Sequence, residues 1–353
     1  MTQTALVVGA SGIVGSAISQ LLIDNKWQVA ALSRHPSQAP GMIPVAADLQ
    51  DPASLQHALA GLKPTHVFIT TWSRQATEAE NIRVNRAMVH NVLAAIRPAR
   101  RVEHVALVTG LKHYLGPFEA YGKGSLAQTP FREEQGRLDI ENFYYAQEDE
   151  LFAAAEKDGF TWSVHRPHTV TGVAVGNAMN MATTLAVYAS ICKKTDRPFV
   201  FPGSRVQWDS LTDMTDARQL AKQQMWAATT PAAANQAFNV TNGDIFRWKW
   251  MWNRIADYFD LPPSDYPATL SPLEKQMRDD QIAWTKIVAE HGLKESDIGR
   301  LVSPWHTDAD LGRPIEVVTD MSKSRAMGFT AYQASDRAFF DVFDKLRDRN
   351  LIP

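Results

Sequence analysis

Residues 5–22 leave this chain little choice of how to begin. An apolar run, Ala5-Leu6-Val7-Val8, passes directly into Gly9-Ala10-Ser11-Gly12-Ile13-Val14-Gly15, and apolar residues then recur at helical spacing at Ala17, Ile18, Leu21 and Leu22. Strand, glycine-rich turn and helix in that order open a parallel sheet covered by helices, and this is the context in which spaced glycines bind a dinucleotide. Gly9 permits the tight turn, Gly12 lets the backbone approach a pyrophosphate, and Gly15 lets the helix pack closely on the strand. The N–H groups between Ser11 and Gly15, Ile13 and Val14 included, would face the phosphates at the helix start.

The pattern continues as it begins. Short apolar runs at 4–9, 28–33, 43–47, 66–71, 104–109 and 161–165 alternate with helical patterns near 13–24, 53–60, 78–96 and 142–157. That rhythm predicts an α/β fold, a Rossmann-type doubly wound parallel sheet. After His165-Arg166-Pro167 longer helical patterns take over, at 177–193, 213–228 and 272–291, so we expect a nucleotide domain over 1–167 and a smaller, mostly helical substrate lobe over 168–353, with some segments returning to the sheet. A formal charge of -2 gives no pull toward nucleic acid or anionic membranes, and one cysteine, Cys192, cannot form an intramolecular disulfide. With no leader-like segment before the first strand and no apolar run of membrane-spanning length, the expected setting is the cytoplasm.

Ligands of such sheets bind beyond the carboxyl ends of the strands, so each strand exit is a candidate site. The second carries Ser33-Arg34, where an acidic residue would favour NAD; Arg34 can instead pair with a 2′-phosphate, which points to NADP(H), unless it is an ordinary solvated arginine. Asp48, with Leu49, follows the third strand, and its carboxylate either accepts from the adenine amine or caps the next helix. Thr70-Thr71-Trp72 leaves the fourth strand and puts an indole where nicotinamide and substrate should meet. Thr109-Gly110-Leu111-Lys112 leaves the fifth, with a lysine in a glycine-punctuated loop. Beside the sixth exit, Pro167, Thr169 and Val170 could line the nicotinamide, while His165 and Arg166 serve there or pair structurally.

The Tyr-x-x-x-Lys pair common in chains of this kind is missing: Tyr144 is followed four residues on by Glu148, and Tyr145 by Asp149. The segment Thr109 to Phe118, Asn142-Phe143-Tyr144-Tyr145 and Thr161-Trp-Ser-Val-His165-Arg166-Pro167 instead resemble the progesterone 5β-reductase and iridoid synthase-like family of short-chain dehydrogenases/reductases. Thr71-Trp72-Ser73, Phe238-Asn239, Phe246-Arg-Trp248 and Met321-Ser-Lys323 extend the resemblance along most of the chain. It implies a catalytic pair, Lys112 and Tyr144, drawn from separate segments, and NADPH-dependent reduction of a C=C bond conjugated to a carbonyl in a small apolar enone or enal. His168 departs from the glycine that plant members carry after this proline, so plant substrate preferences do not transfer.

Tyr145 is the second candidate tyrosine, since one residue turns a side chain about 100° around a helix. Trp72, Phe118, Tyr145 and Met181 are candidate substrate contacts. Of Trp248, Trp250 and Trp252, on one expected helix, two should pack inward and one should be exposed or meet a second subunit, which leaves a homodimer open. The scattered histidines and the absence of Cys-x-x-Cys or His-x-x-x-His speak against a metal, and no Gly-x-Ser-x-Gly elbow suggests a hydrolase. A carbonyl reductase or a sugar-nucleotide epimerase remain the alternative enzymes, both disfavoured by the missing Tyr-x-x-x-Lys. An NADP-sensing regulatory protein is the alternative outside enzymes.

Overall fold

The computed structural model describes residues 3–36, 38–117, 128–177 and 179–353. Its first layer alternates strand and helix: β1 (Thr4–Val8), α1 (Ile13–Asp24), β2 (Gln28–Ser33), β3 (Met42–Ala46), α2 (Pro52–Leu59), β4 (His66–Ile69), α3 (Glu78–Ile96), β5 (His104–Val108), a one-turn α4 (Lys112–Leu115), α5 (Phe143–Asp158) and β6 (Thr161–Pro167). Then come β7 (Val170–Thr171), α6 (Met181–Thr195), α7 (Arg205–Asp209), β8 (Thr215–Asp216), α8 (Ala217–Thr229), β9 (Gln236–Val240), α9 (Trp248–Tyr258), α10 (Leu273–Gln276), α11 (Gln281–His291), α12 (Pro304–Leu311), α13 (Ser322–Ala326) and α14 (Ser335–Asp348).

The main sheet is parallel throughout, in the order β3-β2-β1-β4-β5-β6-β9. Its inner strands are apolar on both faces because helices cover both. Ala5 and Val7 of β1 pack with Ile18, Leu22 and Phe68 beneath α1 and Ala221 of α8. Leu6 and Val8 pack with Leu55, Val89, Val92 and Leu151 of α2, α3 and α5. A separate core joins α6, α9, α11 and α14, with Trp252 stacked on Phe199 at 4.1 Å between ring centroids.

Two expectations change here and one is made specific. The return of lobe segments to the sheet is a seventh strand, Gln236–Val240, at the edge beside β6, with polar Gln236 and Asn239 among its five residues. The pattern over 272–291 breaks into α10 and α11, and at the break Arg197 donates to both the Gln276 carbonyl and the Asp280 carboxylate. The helix expected at 177–193 starts at Met181, capped by Asn180, whose side chain accepts from the Thr183 N–H. On α9, Trp248 and Trp252 are buried and Trp250 is exposed.

Candidate active site

Two corners of the sheet's carboxyl edge carry the candidate residues. At the first, Gly9 adopts φ +84° and the N–H groups of Gly9 and Ala10 bond the Leu32 carbonyl at 2.9 and 3.1 Å, folding the turn back on β2. A Cβ on Gly15 would stand 2.1 Å from the Gly9 carbonyl oxygen, so helix and turn meet backbone to backbone. Gly12, the N-cap of α1, supplies no side chain to the first-turn N–H groups, leaving that helix start open to an anion. Thr70 donates to the Val8 carbonyl at 2.8 Å, and Thr71 lies against Gly9, so both close the corner from the β4 side.

The neighbouring exit of β2 suits a ribose. The Ser33 hydroxyl is buried with no hydrogen-bond partner among the described residues, and Arg34 follows it, exposed. Asp48 is exposed and accepts from the Gln50 N–H at 2.9 Å, with Leu49 half-buried beside it. The helix-cap role weighed for Asp48 belongs to Asp51, whose carboxylate accepts from Ala53 and Ser54. A cradle of glycines at an open helix start fits the pyrophosphate of a dinucleotide.

The second corner assembles from three segments. Lys112 heads α4 and is buried, its Nζ 4.9 Å from the centre of the Trp72 ring and 5.0 Å from that of Phe143. Trp72 and Phe143 stack at 4.9 Å, so the ammonium rests against an aromatic pair. Tyr144 is buried at the start of α5. A Cβ on Gly110 would stand 3.3 Å from both the Tyr144 hydroxyl and the Pro167 carbonyl oxygen, so the hydroxyl reaches the exits of β5 and β6. Thr109, also buried, bonds its N–H to the His165 carbonyl at 2.9 Å and holds the two exits together.

Side chains from distant segments brace this corner. The Glu148 carboxylate, almost fully buried, pairs with Arg166 at 3.3 Å and Arg137 at 3.0 Å. Arg166 also donates to the Tyr114 hydroxyl, which donates in turn to Asn239 of β9 at 2.7 Å. Burial first, then the nearby Arg166 cation, holds the His113 imidazole down at about 3, so it stays neutral beside the lysine. Arg166 is thus committed to Glu148 and Tyr114. His165 joins Ser163 and Gln223 at 2.9 Å each, and burial lowers it to about 4.

A cleft of about 350 Å3 opens beside Lys112, lined by Trp72, Arg74, Gln75, Glu78, Asn81 and Lys112. Its wall is more polar than the expected apolar substrate implies. Sequence reasoning missed Arg74, Glu78 and Asn81; Glu78 shows only as an acidic first-turn residue of α3, and its carboxylate accepts from the Phe143 N–H at 2.8 Å across the site. Two of the expected substrate contacts need revision, and a third is outside what the structure describes. The Tyr145 hydroxyl donates to the His113 carbonyl at 2.6 Å and accepts from Leu138, so it is occupied in holding the loop. Met181 is buried in the second core, where it lines a void of about 10 Å3 with His168, Thr169 and Trp248, away from the Lys112 cleft. Phe118 lies outside the described residues.

At the β6 exit, Pro167 and Val170 flank the site, and the Thr169 hydroxyl donates to Asp310 of α12 at 2.5 Å. His168 is held between Asp213 and Arg313, at 2.8 and 2.6 Å. Among the described residues, no helix is long and apolar enough to cross a membrane and no cluster of three His, Cys, Asp or Glu is placed to hold a metal.

Residues 49–353 match the PRISE-like Rossmann-fold domain, a stretch that excludes the glycine turn and contains the whole Lys112–Tyr144 corner. The chain belongs to that family. An (S)-8-oxocitronellyl enol synthase of Camptotheca acuminata is 36% identical to it over 99% of this chain and 93% of that protein. The 3-oxo-Delta(4,5)-steroid 5-beta-reductase of Arabidopsis thaliana is 37% identical over the same shares. Among solved structures, an epimerase from Methanothermobacter thermautotrophicus superposes with a TM-score of 0.71 at 14% identity, covering 98% of this chain and 93% of that one. The Bordetella bronchiseptica enzyme WbmH, solved with NAD+, gives 0.67 at 15% identity, covering 99% and 100%. The solved structures share the fold, and the family match spans the segments that carry Lys112 and Tyr144.

Proposed function

We propose that this PRISE-like protein reduces the C=C bond of α,β-unsaturated carbonyl compounds with NADPH. The observation that supports the reading is that the Tyr144 hydroxyl lies beside Gly110 and Pro167 while Lys112, two residues past Gly110, rests against Trp72 and Phe143, the residue before Tyr144, in a chain whose relatives along its full length include a steroid 5-beta-reductase. The first corner would hold the cofactor: Gly9, Gly12 and Gly15 for the pyrophosphate, Ser33 and Arg34 for the 2′-phosphate, Asp48 for the adenine, and Pro167, Thr169 and Val170 beside the nicotinamide. When bound, NADPH supplies a hydride, with its electron pair, to the substrate's β-carbon. The displaced π electrons move onto the carbonyl oxygen as an enolate. Tyr144 donates a hydrogen bond to that oxygen, and Lys112 keeps the local field positive. A proton from solvent at the α-carbon completes the saturated carbonyl.

Trp72 would carry the apolar body of the substrate, beneath the polar wall of Arg74 and Gln75. We infer further that the site works between residues 1–167 and the lobe 168–353, from which α8 and β9 return to the sheet. The epimerase alternative draws on the solved neighbours, but the position four residues after Tyr144 holds Glu148, already paired with Arg166 and Arg137.

Product identification tests the proposal. Incubation with NADPH and, separately, progesterone, 2-cyclohexen-1-one and a monoterpene dialdehyde should yield a saturated carbonyl product. An allylic alcohol would mean carbonyl reduction, and tight NADPH binding without any product would favour the regulatory reading. Tyr144→Phe should lower kcat about a hundredfold or more while NADPH affinity holds, because the lost donor acts where charge develops. Unchanged turnover would remove Tyr144 from the mechanism.

A further inference from the structure

Lys112 and Tyr144 sit on different segments, and a single side chain joins their backbones. The Asn142 Oδ1 accepts from the Tyr144 N–H at 3.0 Å, and its Nδ2 donates to the Lys112 carbonyl at 2.7 Å, across 30 residues of sequence. Its side chain is buried, and the neighbours on either side of Tyr144 are tied as well: Phe143 through its N–H to Glu78, and Tyr145 through its hydroxyl to the His113 carbonyl. We propose that Asn142 is a positioning residue that holds the Lys112 loop in register with Tyr144 for the reduction. This rests on the roles given to Lys112 and Tyr144 above.

The chemistry of the side chain separates this role from ordinary helix capping. A cap needs only an acceptor, and Ser, Thr or Asp at this position would serve α5 about as well as Asn. Only a planar amide also offers a donor at the same reach. An aspartate would keep the bond to the Tyr144 N–H and set a carboxylate oxygen against the Lys112 carbonyl, breaking the second bond alone. Because reacting groups misplaced by about 1 Å can cost on the order of a hundredfold in rate, a loosened tether should register in kcat.

The test compares Asn142→Asp and Asn142→Ser with Tyr144→Phe and Lys112→Ala in the full chain, using whichever of the three enones is reduced. The readouts are kcat, KM, NADPH Kd and Tm. For Asn142→Asp we expect kcat to fall about tenfold or more, with NADPH Kd within about twofold of the original; the buried carboxylate facing the Lys112 carbonyl lowers Tm, so Tm is judged on the serine variant, which retains the cap. The serine variant keeps a cap without adding a charge, so it should show the same pattern even if the aspartate variant does not fold. Wild-type kcat in a folded variant overturns the proposal. So does a fall in kcat that merely accompanies equal losses of Tm and cofactor affinity, since that is a structural role. If Tyr144→Phe and Lys112→Ala both retain turnover, the catalytic reading falls and takes this one with it; if they lose turnover and the Asn142 variants do not, only the tether is wrong.

Discussion

At the carboxyl end of β1 the chain turns through Gly9, Gly12 and Gly15 with backbone set against backbone, all within seven positions of sequence. At the carboxyl ends of β5 and β6, by contrast, the Lys112 loop and the start of α5 are held by side chains from Glu78, Asn142, Tyr145, Glu148, Arg166 and Asn239. One corner depends on the absence of side chains and the other on their polar ends. The first is therefore sensitive to added bulk, and the second to lost hydrogen bonds and to protons.

Acid should produce the largest effect, and it should fall on β5 and β6, the strands whose carboxyl ends form the second corner. His104 bonds Thr161 and Ser163 at 2.8 and 2.9 Å, and burial holds it at about 3; burial likewise holds His165 at about 4 and His113 at about 3, against an ordinary 6.5. Folded, these rings stay neutral while the unfolded chain takes up protons below pH 6.5, so the unfolded state gains as pH falls. Stability is full above about 6.5 and declines toward about 3, by several kcal/mol in all. A Tm profile from pH 8 to 4 should fall steeply, with backbone amides of 104–115 and 161–165 losing exchange protection at higher pH than those of 5–8. A flat profile, or protection lost first at the glycine turn, would break the comparison.

An added methyl group should act on the first corner. In Gly15→Ala the new Cβ would lie 2.1 Å from the Gly9 carbonyl oxygen and 2.8 Å from the Ala10 Cα, atoms that move only if the turn itself moves. We expect a loss at or above the top of the usual range of about 1–3 kcal/mol for overpacking, together with loss of NADPH binding in a fluorescence titration. Gly136, with open space around its Cα, provides the control, since Gly136→Ala should change neither readout. Equal behaviour of the two variants would show that the turn is not set by this contact.

The same difference explains what could be read in the chain before its structure. The glycine turn, the first six strands and the helices between them follow from local periodicity, because each element's partners recur within a few residues. Which lobe segment returns to the sheet did not follow, since the place of Gln236–Val240 depends on pairing with β6, where Gln236 meets Ser163, and two of its five residues are polar. Lys112 stood out as a lysine in a glycine-punctuated loop at a strand exit, but its pairing with Tyr144 was suggested only by the resemblance of their flanking segments. The bracing of Tyr145 and the cleft wall at Arg74 and Glu78 were not legible at all, because nothing in a linear pattern says that a hydroxyl will meet a carbonyl 32 positions away.

The smallest expected effect sharpens the first corner rather than breaking it. Arg34 is exposed, one residue beyond a serine whose buried hydroxyl has no partner among the described residues, so its guanidinium is available to a ribose phosphate without giving up any packing. A charge-assisted bond to phosphate at a solvated site is worth about 1.4 kcal/mol, or about tenfold in affinity. Arg34→Ala should therefore raise the Kd for NADPH about tenfold, leave that for NADH nearly unchanged and leave Tm where it was. Raising the salt concentration should shrink the difference, since an exposed pair is screened. Equal losses for both cofactors would place the arginine in general phosphate attraction, and discrimination would then have to come from Ser33 and the turn itself.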